Sequence, residues 1–243
     1  MKVRDKVILI TGGTSGIGWA LANRFIQMEN KVIIMGRGSR KLDEAKKKGF
    51  HTISCDLGNN QQIESAIRLI QEDFPDLDML FNNAGIQFNY DFTQDRIPVE
   101  KIHQEIQVNV TGQLILTQGL LPLLKARKQA WIINTTSGLG MFPKRDGLVY
   151  SVSKAAMRNF TIGIRYFLKG SPVKVLEFIP PVTETNMTAG RPGAKMDVEK
   201  LVDMALPQIE REFDIITVGK LRIFRWIAFL LPGLAHKILS KNS

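Results

Sequence analysis

Tyr150 and Lys154 stand four residues apart in Tyr150-Ser151-Val152-Ser153-Lys154. On a helix that spacing puts both side chains on one face. A tyrosine hydroxyl, with its ordinary pKa of about 10, is a poor acid or base at neutral pH. A neighbouring ammonium favours the tyrosinate and draws that pKa down. The pair therefore has a chemical reason to stand together: moving a proton to or from an oxygen. Two more polar residues precede it. Ser137 lies 13 residues before Tyr150, just past the apolar Ile132-Ile133-Asn134 stretch. Asn109 lies in Gln107-Val108-Asn109-Val110-Thr111-Gly112. A Tyr and Lys at this spacing are common by chance, so the pair gains weight only from its surroundings.

A second cluster sits near the N-terminus. Thr11-Gly12-Gly13-Thr14-Ser15-Gly16-Ile17-Gly18 joins an apolar run to a segment with helical spacing. Glycines there permit a tight turn and let backbone N–H groups approach a pyrophosphate, and the helix N-terminus adds partial positive charge. Turns use glycine anyway, so the strand before the string and the helix after it supply the meaning.

The rest of the chain supplies the elements that must position these groups. Short continuous apolar runs, which suit strands buried on both faces, occur at Val7–Ile10 and Val32–Met35, and further strands are expected at Thr52–Cys55, Asp78–Phe81, Trp131–Asn134 and Val173–Ile179. Helical spacing or composition marks Ile17–Met28, residues 40–48, Ile63–Phe74, Val99–Lys128 and Ala155–Leu168. Strands and helices alternate. That predicts an α/β chain: a single-domain, Rossmann-like, doubly wound parallel sheet with right-handed crossovers. Residues 1–219 form the predicted domain, and 220–243 a basic, apolar C-terminal tail.

The glycine string has the form T-G-x-x-x-G-x-G, and with the Asn-Ser-Tyr-Lys order it resembles the short-chain dehydrogenase/reductase family over roughly residues 5–190. The resemblance implies an oxidoreductase that interconverts a carbonyl and an alcohol by hydride transfer from a nicotinamide cofactor. Tyr150 would be the acid in reduction and the base in oxidation. Ser137 would hydrogen-bond the substrate oxygen. Lys154 would lower the tyrosine pKa and hold the nicotinamide ribose, and Asn109 would position a water linking Lys154 to solvent. Thr135 and Thr136 fit the family spacing less well than Ser137.

The same likeness assigns Gly12, Thr14, Ser15, Gly16, Ile17 and Gly18 to the cofactor. It adds Asp56 and Leu57 at the adenine, and Asn83, Ala84 and Gly85 along the adenosine side. Pro180, Thr183 and Thr185 fall in the segment that meets the nicotinamide carboxamide. Members that use NAD carry an acid after the second strand, where it accepts from the ribose 2′-hydroxyl and repels a 2′-phosphate. Here Gly36 stands at that position and Arg37 follows, with Ser15 or Arg40 as additional candidates to contact the phosphate. A guanidinium pairs bidentately with phosphate, so NADP(H) is expected in preference to NAD(H). Pro181 replaces the family's glycine in Pro180-Pro181-Val182-Thr183. This variant and the stretch from Val218-Gly219-Lys220 onward are similar to the subgroup labelled D-alanine esterification accessory oxidoreductase.

Composition bounds the remaining classes. The 243 residues are 44% hydrophobic and 23% charged, ordinary for a globular protein and unlike a disordered chain. The single cysteine, Cys55, cannot form an internal disulfide or a multi-thiolate zinc site, and the three histidines show no ligand spacing, so no metal is expected. No signal-peptide core or spanning segment is evident, so a cytoplasmic location is expected.

The net charge is +10, and the tail alone carries Lys220, Arg222, Arg225, Lys237 and Lys241 with no acid. Apolar residues between these charges suit a membrane interface beside anionic lipid. The favoured alternative is packing over the substrate cleft or against a second subunit. Nucleic acid is not expected, since no recognition motif accompanies the charge. The expected partner is a small carbonyl or alcohol substrate. Its walls are placed in 86–98, 138–147 and 186–215, including Ile86, Phe88, Phe92, Leu139, Met141, Phe142 and Met187. The family likeness implies a homodimer or homotetramer, through the helices near 99–128 and 151–168. The competing reading is a non-catalytic nucleotide sensor or scaffold on the same fold. The complete Asn-Ser-Tyr-Lys set favours the enzyme.

Overall fold

The computed structural model describes residues 3–93, 96–191 and 193–219, together with 221–223, 226, 230, 231 and 233, and of Arg145 the backbone alone. Seven parallel strands make one sheet in the order β3-β2-β1-β4-β5-β6-β7. They are β1 (Val7–Thr11), β2 (Lys31–Gly36), β3 (His51–Ser54), β4 (Met79–Asn82), β5 (Ala130–Thr135), β6 (Val173–Ile179) and β7 (Ile215–Thr217). The helices are α1 (Gly16–Gln27), α2 (Ser39–Lys47), α3 (Asn60–Asp73), α4 (Val99–Ile106), α5 (Gly112–Ala126), α6 (Leu148–Phe167) and α7 (Val198–Glu210).

Both faces of the sheet are covered, which is why the inner strands β1 and β2 carry unbroken apolar runs, whereas the edge strand β3 is partly exposed. Ile8 and Ile10 of β1 pack with Leu21 and Phe25 of α1 and Leu201 of α7 on one face. Leu9 packs with Ile63 of α3 and Leu116 and Leu120 of α5 on the other. The helices on the two sides of β1 and β4 thus leave the sheet in opposite directions. The crevice between them, outside the carboxyl ends of the strands, is where this architecture takes ligands.

Three expectations are corrected. The predicted helix 99–128 is interrupted by a π turn at Gln107–Thr111 that contains Asn109. Such wide turns cluster at functional sites, and hydrophobic spacing does not reveal them. The helix expected from Ala155 begins at Leu148, so Tyr150 and Lys154 both lie on it. Val149, Ser151, Val152 and Ser153 are weak helix formers, and packing against the sheet overrides their propensity. Residues 186–215 are not all substrate wall: α7 packs on α1 through Leu201, Val202 and Ala205, and β7 extends the sheet. With only three residues, β7 is too short to stand out as an apolar run.

Buried side chains tie the strand ends to the helices. Thr11 Oγ1 accepts from the backbone N–H groups of Asn83 and Ala84 at 2.9 and 3.0 Å. Asn82 donates to Thr117 Oγ1 of α5 and to Asn134 Oδ1 of β5, both at 2.9 Å. Asn134 in turn donates to Thr161 Oγ1 of α6 at 2.9 Å. This ladder fixes α5 and α6, and hence the groups they carry, against the middle of the sheet. No helix among the described residues is long and apolar enough to cross a membrane.

Candidate active site

Ser137 leaves β5 in an extended conformation and caps a short 3₁₀ turn, Gly138–Gly140, accepting from the Leu139 N–H at 3.2 Å. That turn lies directly on α6. A Cβ on Gly140 would fall 2.7 Å from the Lys154 carbonyl oxygen, so only glycine permits the approach. Tyr150, in the first turn of α6, is brought beside Ser137, close enough for the serine hydroxyl to favour the tyrosinate. One turn on, the buried Lys154 places Nζ 5.6 Å from the Tyr150 ring centroid and donates to the Thr135 carbonyl at 2.9 Å.

The electrostatics differ from the sequence expectation. Burial dominates at Tyr150 and pushes its hydroxyl up to about 12. The positive charge of Arg191 and the Ser137 hydrogen bond pull it down, and Glu105 pushes it up. Burial also lowers the Lys154 ammonium to about 8. The cation identified in sequence as the tyrosine's activator is thus itself partly discharged near neutral pH, and Arg191 is the cation acting on the phenol.

Asn109 is buried behind this group. Its Oδ1 accepts from the Ile86 N–H at 2.8 Å, and its Nδ2 donates to the Ile86 carbonyl at 2.8 Å and to Ser153 Oγ at 3.0 Å. It therefore clamps the strand-β4 loop to α6. A Cβ on Gly85 would meet Asn109 Oδ1 at 3.4 Å and Lys154 Nζ at 3.6 Å, so both polar groups face the same small space.

Ser137, Tyr150 and Lys154 line one end of a cleft of about 690 Å³, within the roughly 300–1,000 Å³ of small-molecule sites, whereas Asn109 stands behind its wall and is not part of the lining. The other end is the glycine loop. Gly12 has φ +65°, and a Cβ there would lie 2.9 Å from Ala84 Cα. Ser15 caps α1 without a side-chain hydrogen bond, and the first turn of α1 carries no acid. Its leading N–H groups are therefore free to meet an anion. A Cβ on Gly36 would lie 2.9 Å from Thr14 Cγ2, so an acid at this position would displace Thr14. Arg37 reaches into the same end with its side chain 55% exposed, only 3.9 Å from Asp56 Oδ2. The cradle, the uncapped helix and the guanidinium together fit the pyrophosphate and adenosine end of a nicotinamide dinucleotide.

Of the residues expected to hold the cofactor, all but Gly18 line this cleft. Gly18 sits beneath the loop, packed against Gly12 and Asn83. Arg40 is turned into solvent and pairs with Glu44 at 3.6 Å. Of the expected substrate walls, Ile86, Leu139, Phe142 and Met187 face the cleft. Phe88, Phe92 and Met141 are not part of its lining, and Phe88 packs on Tyr90 instead. Leu221 reaches the cleft beside Gly138. Much of the basic tail, 220, 224, 225, 227–229, 232 and 234–243, lies outside the described residues. Sequence pattern did not single out two charged groups. Arg191 lines the cleft from a loop without periodicity. Glu105 is buried, accepts from the Phe88 N–H at 3.4 Å, and is pushed up to about 7 by burial.

A sequence profile of the short chain dehydrogenases matches residues 6–195. The chain belongs to this family. It is 35% identical over 189 residues to "Uncharacterized oxidoreductase DltE" of Bacillus subtilis, covering 77% of this chain and 75% of that protein. It is 32% identical over 177 residues to "NADP-dependent 3-hydroxy acid dehydrogenase YdfG" of Escherichia coli K12, covering 72% and 71%. A short chain dehydrogenase from Burkholderia cenocepacia J2315, solved in complex with NADP, shares the fold with a TM-score of 0.88 at 24% identity, over 98% of this chain and 99% of that one.

Proposed function

We propose that this protein is an NADP(H)-dependent oxidoreductase that interconverts a carbonyl and an alcohol, with Tyr150 as the acid and base. One observation carries the reading. Ser137, Tyr150 and Lys154 meet at one end of a cleft whose other end is a glycine cradle and Arg37. When bound, NADPH supplies the hydride to the carbonyl carbon.

The chain's own groups do the rest. Ser137 donates to the substrate oxygen and steadies its developing charge. Tyr150, held protonated by its burial, gives that oxygen a proton. With Ser137 committed to the substrate oxygen, the Arg191 charge steadies the tyrosinate left behind. Lys154 Nζ returns a proton to it, and Asn109 Oδ1 faces the space through which a water would reach that ammonium. The first turn of α1 and the Thr185 side chain beside Gly16 would hold the pyrophosphate. Self-association through α4, α5 and α6 remains part of this reading; α6 leaves Val152, Tyr166 and Phe167 exposed.

The cofactor choice has its own test. Arg37 is loosely paired and exposed, so its ion pair with Asp56 contributes little and the guanidinium is available to a 2′-phosphate. Arg37→Ala is expected to weaken NADPH binding by about 10–100-fold, the worth of one charge-assisted pair. NADH binding should change by less than about threefold. Fluorescence titration with each cofactor reads both numbers. Equal losses for NADPH and NADH would remove Arg37 from the 2′-phosphate.

A further inference from the structure

Arg191 lines the reacting end of the cleft, where its charge acts on Tyr150 but its guanidinium fork has no ligand assigned by the proposed function. It lies on the loop after β6, and both ends of that loop are anchored. At one end Thr188 Oγ1 donates to the Thr183 carbonyl at 2.6 Å and accepts from the Thr185 N–H at 3.1 Å. The Arg191 N–H then donates to the Thr188 carbonyl at 3.2 Å. At the other end Met196 donates to Val182 at 2.8 Å and accepts from Glu184 at 2.9 Å. The loop thus holds Arg191 in the cleft near enough for its charge to act on the Tyr150 hydroxyl.

The other cations of the cleft are remote from the reacting end or already partnered. Arg37 stands at the far end with Asp56, the one acid among the described lining residues. Lys144 pairs with Asp146 at 3.0 Å. Lys154 donates to the Thr135 carbonyl. Arg191 is half-buried and has no carboxylate partner among the described residues. A half-buried cation without a carboxylate partner favours the arrival of an anion with which it can pair. The surrounding walls, Leu139, Phe142, Met187 and Leu221, are apolar. A ligand that satisfies both is small, mainly apolar and anionic at one end.

We propose that Arg191 binds the carboxylate of an oxo-acid substrate, or of the matching hydroxy acid, and so sets its carbonyl against Ser137 and Tyr150. This rests on the proposed function, since it takes Ser137 and Tyr150 as the reacting end. A guanidinium fork meets a carboxylate bidentately and so fixes orientation as well as position. The carboxylate forms and breaks no bond; Arg191 is a specificity-determining residue.

The test compares acetoacetate with ethyl acetoacetate, the same ketone with its charge removed, using NADPH and the full chain. Wild type should prefer the acid in kcat/KM. Arg191→Gln should lose about 10–100-fold more on acetoacetate than on the ester, the extra loss falling mainly in KM; the part shared by both ketones, in kcat, reports the arginine charge on Tyr150. Arg191→Lys should recover part of the loss. NADPH affinity should not change in either variant. Four results would overturn the proposal. One is an equal loss on acid and ester, as a merely structural arginine would give. Another is weakened NADPH binding, which would assign the guanidinium to the cofactor's phosphates. A third is a wild type that prefers the ester. The last is turnover of neither ketone, with no calorimetric binding of acetoacetate to the NADP⁺ complex. Tyr150→Phe separates the two levels: if turnover survives that change, the reaction site itself is misplaced, whatever Arg191 does.

Discussion

Tyr150→Phe is expected to lower turnover by about 10²–10⁴-fold, the usual worth of a positioned proton donor. Affinity for NADPH should stay within about twofold of wild type. The phenyl ring keeps the volume and the packing on α6, and the Ser137 hydroxyl left behind faces the cleft, where water can satisfy it. What is removed is the proton. In the intact protein burial pushes the phenol up to about 12, so it stays protonated through the working range. Reduction, which needs the phenol, should therefore show no loss from its titration below that value. Oxidation, which needs the tyrosinate, should quicken as pH rises. Steady-state rates in both directions, with cofactor titration of the same preparations, check the split. Unchanged turnover would take Tyr150 out of the reaction.

Lys154→Met should act in opposite directions on activity and stability. Turnover should fall by about 10²-fold or more, because the tyrosinate loses its neighbouring proton source. Stability at pH 7 should rise. Burial lowers the lysine from 10.5 to about 8, so the unfolded chain binds more protons between those values. The folded state thus carries a penalty on the order of 3 kcal/mol below pH 8, which fades as pH rises toward 10.5. Methionine keeps the length without the charge. It also leaves the Thr135 carbonyl without its donor, at about 1 kcal/mol. The net gain is about 2 kcal/mol, or several degrees in Tm. Calorimetric melts at pH 7 and near pH 10.5 should show the gain at the first and little at the second. A lower Tm at pH 7 would mean that the ammonium stabilises the fold.

Residues whose chemistry depends on type and spacing are the ones legible before folding. Tyr150 and Lys154 share a helix face, and Ser137 follows a strand, so backbone periodicity carries them to one place. The glycine loop is legible for the same reason, lying between an apolar run and an amphipathic helix. The π turn at Asn109 leaves no trace in hydrophobic spacing, because the inserted residue changes register without changing composition. The start of α6 hides behind serines and valines that favour other conformations. Arg191 and Glu105 are beyond pattern altogether. One hangs on an irregular loop held by threonine hydroxyls, and the other is an acid at an otherwise unremarkable helical position that folding buries at 1% exposure. Both change the electrostatics at Tyr150, and only the fold brings them there.

A crystal structure of the protein with NADP⁺ tests the central claim most directly. The pyrophosphate is expected on the first turn of α1 and the 2′-phosphate against Arg37. The nicotinamide ring should lie beside Ser137 and Tyr150, with C4 open to a carbonyl carbon at about 3–3.5 Å. A nicotinamide at the Arg37 end, or no NADP⁺ in the cleft at saturating concentration, would contradict it.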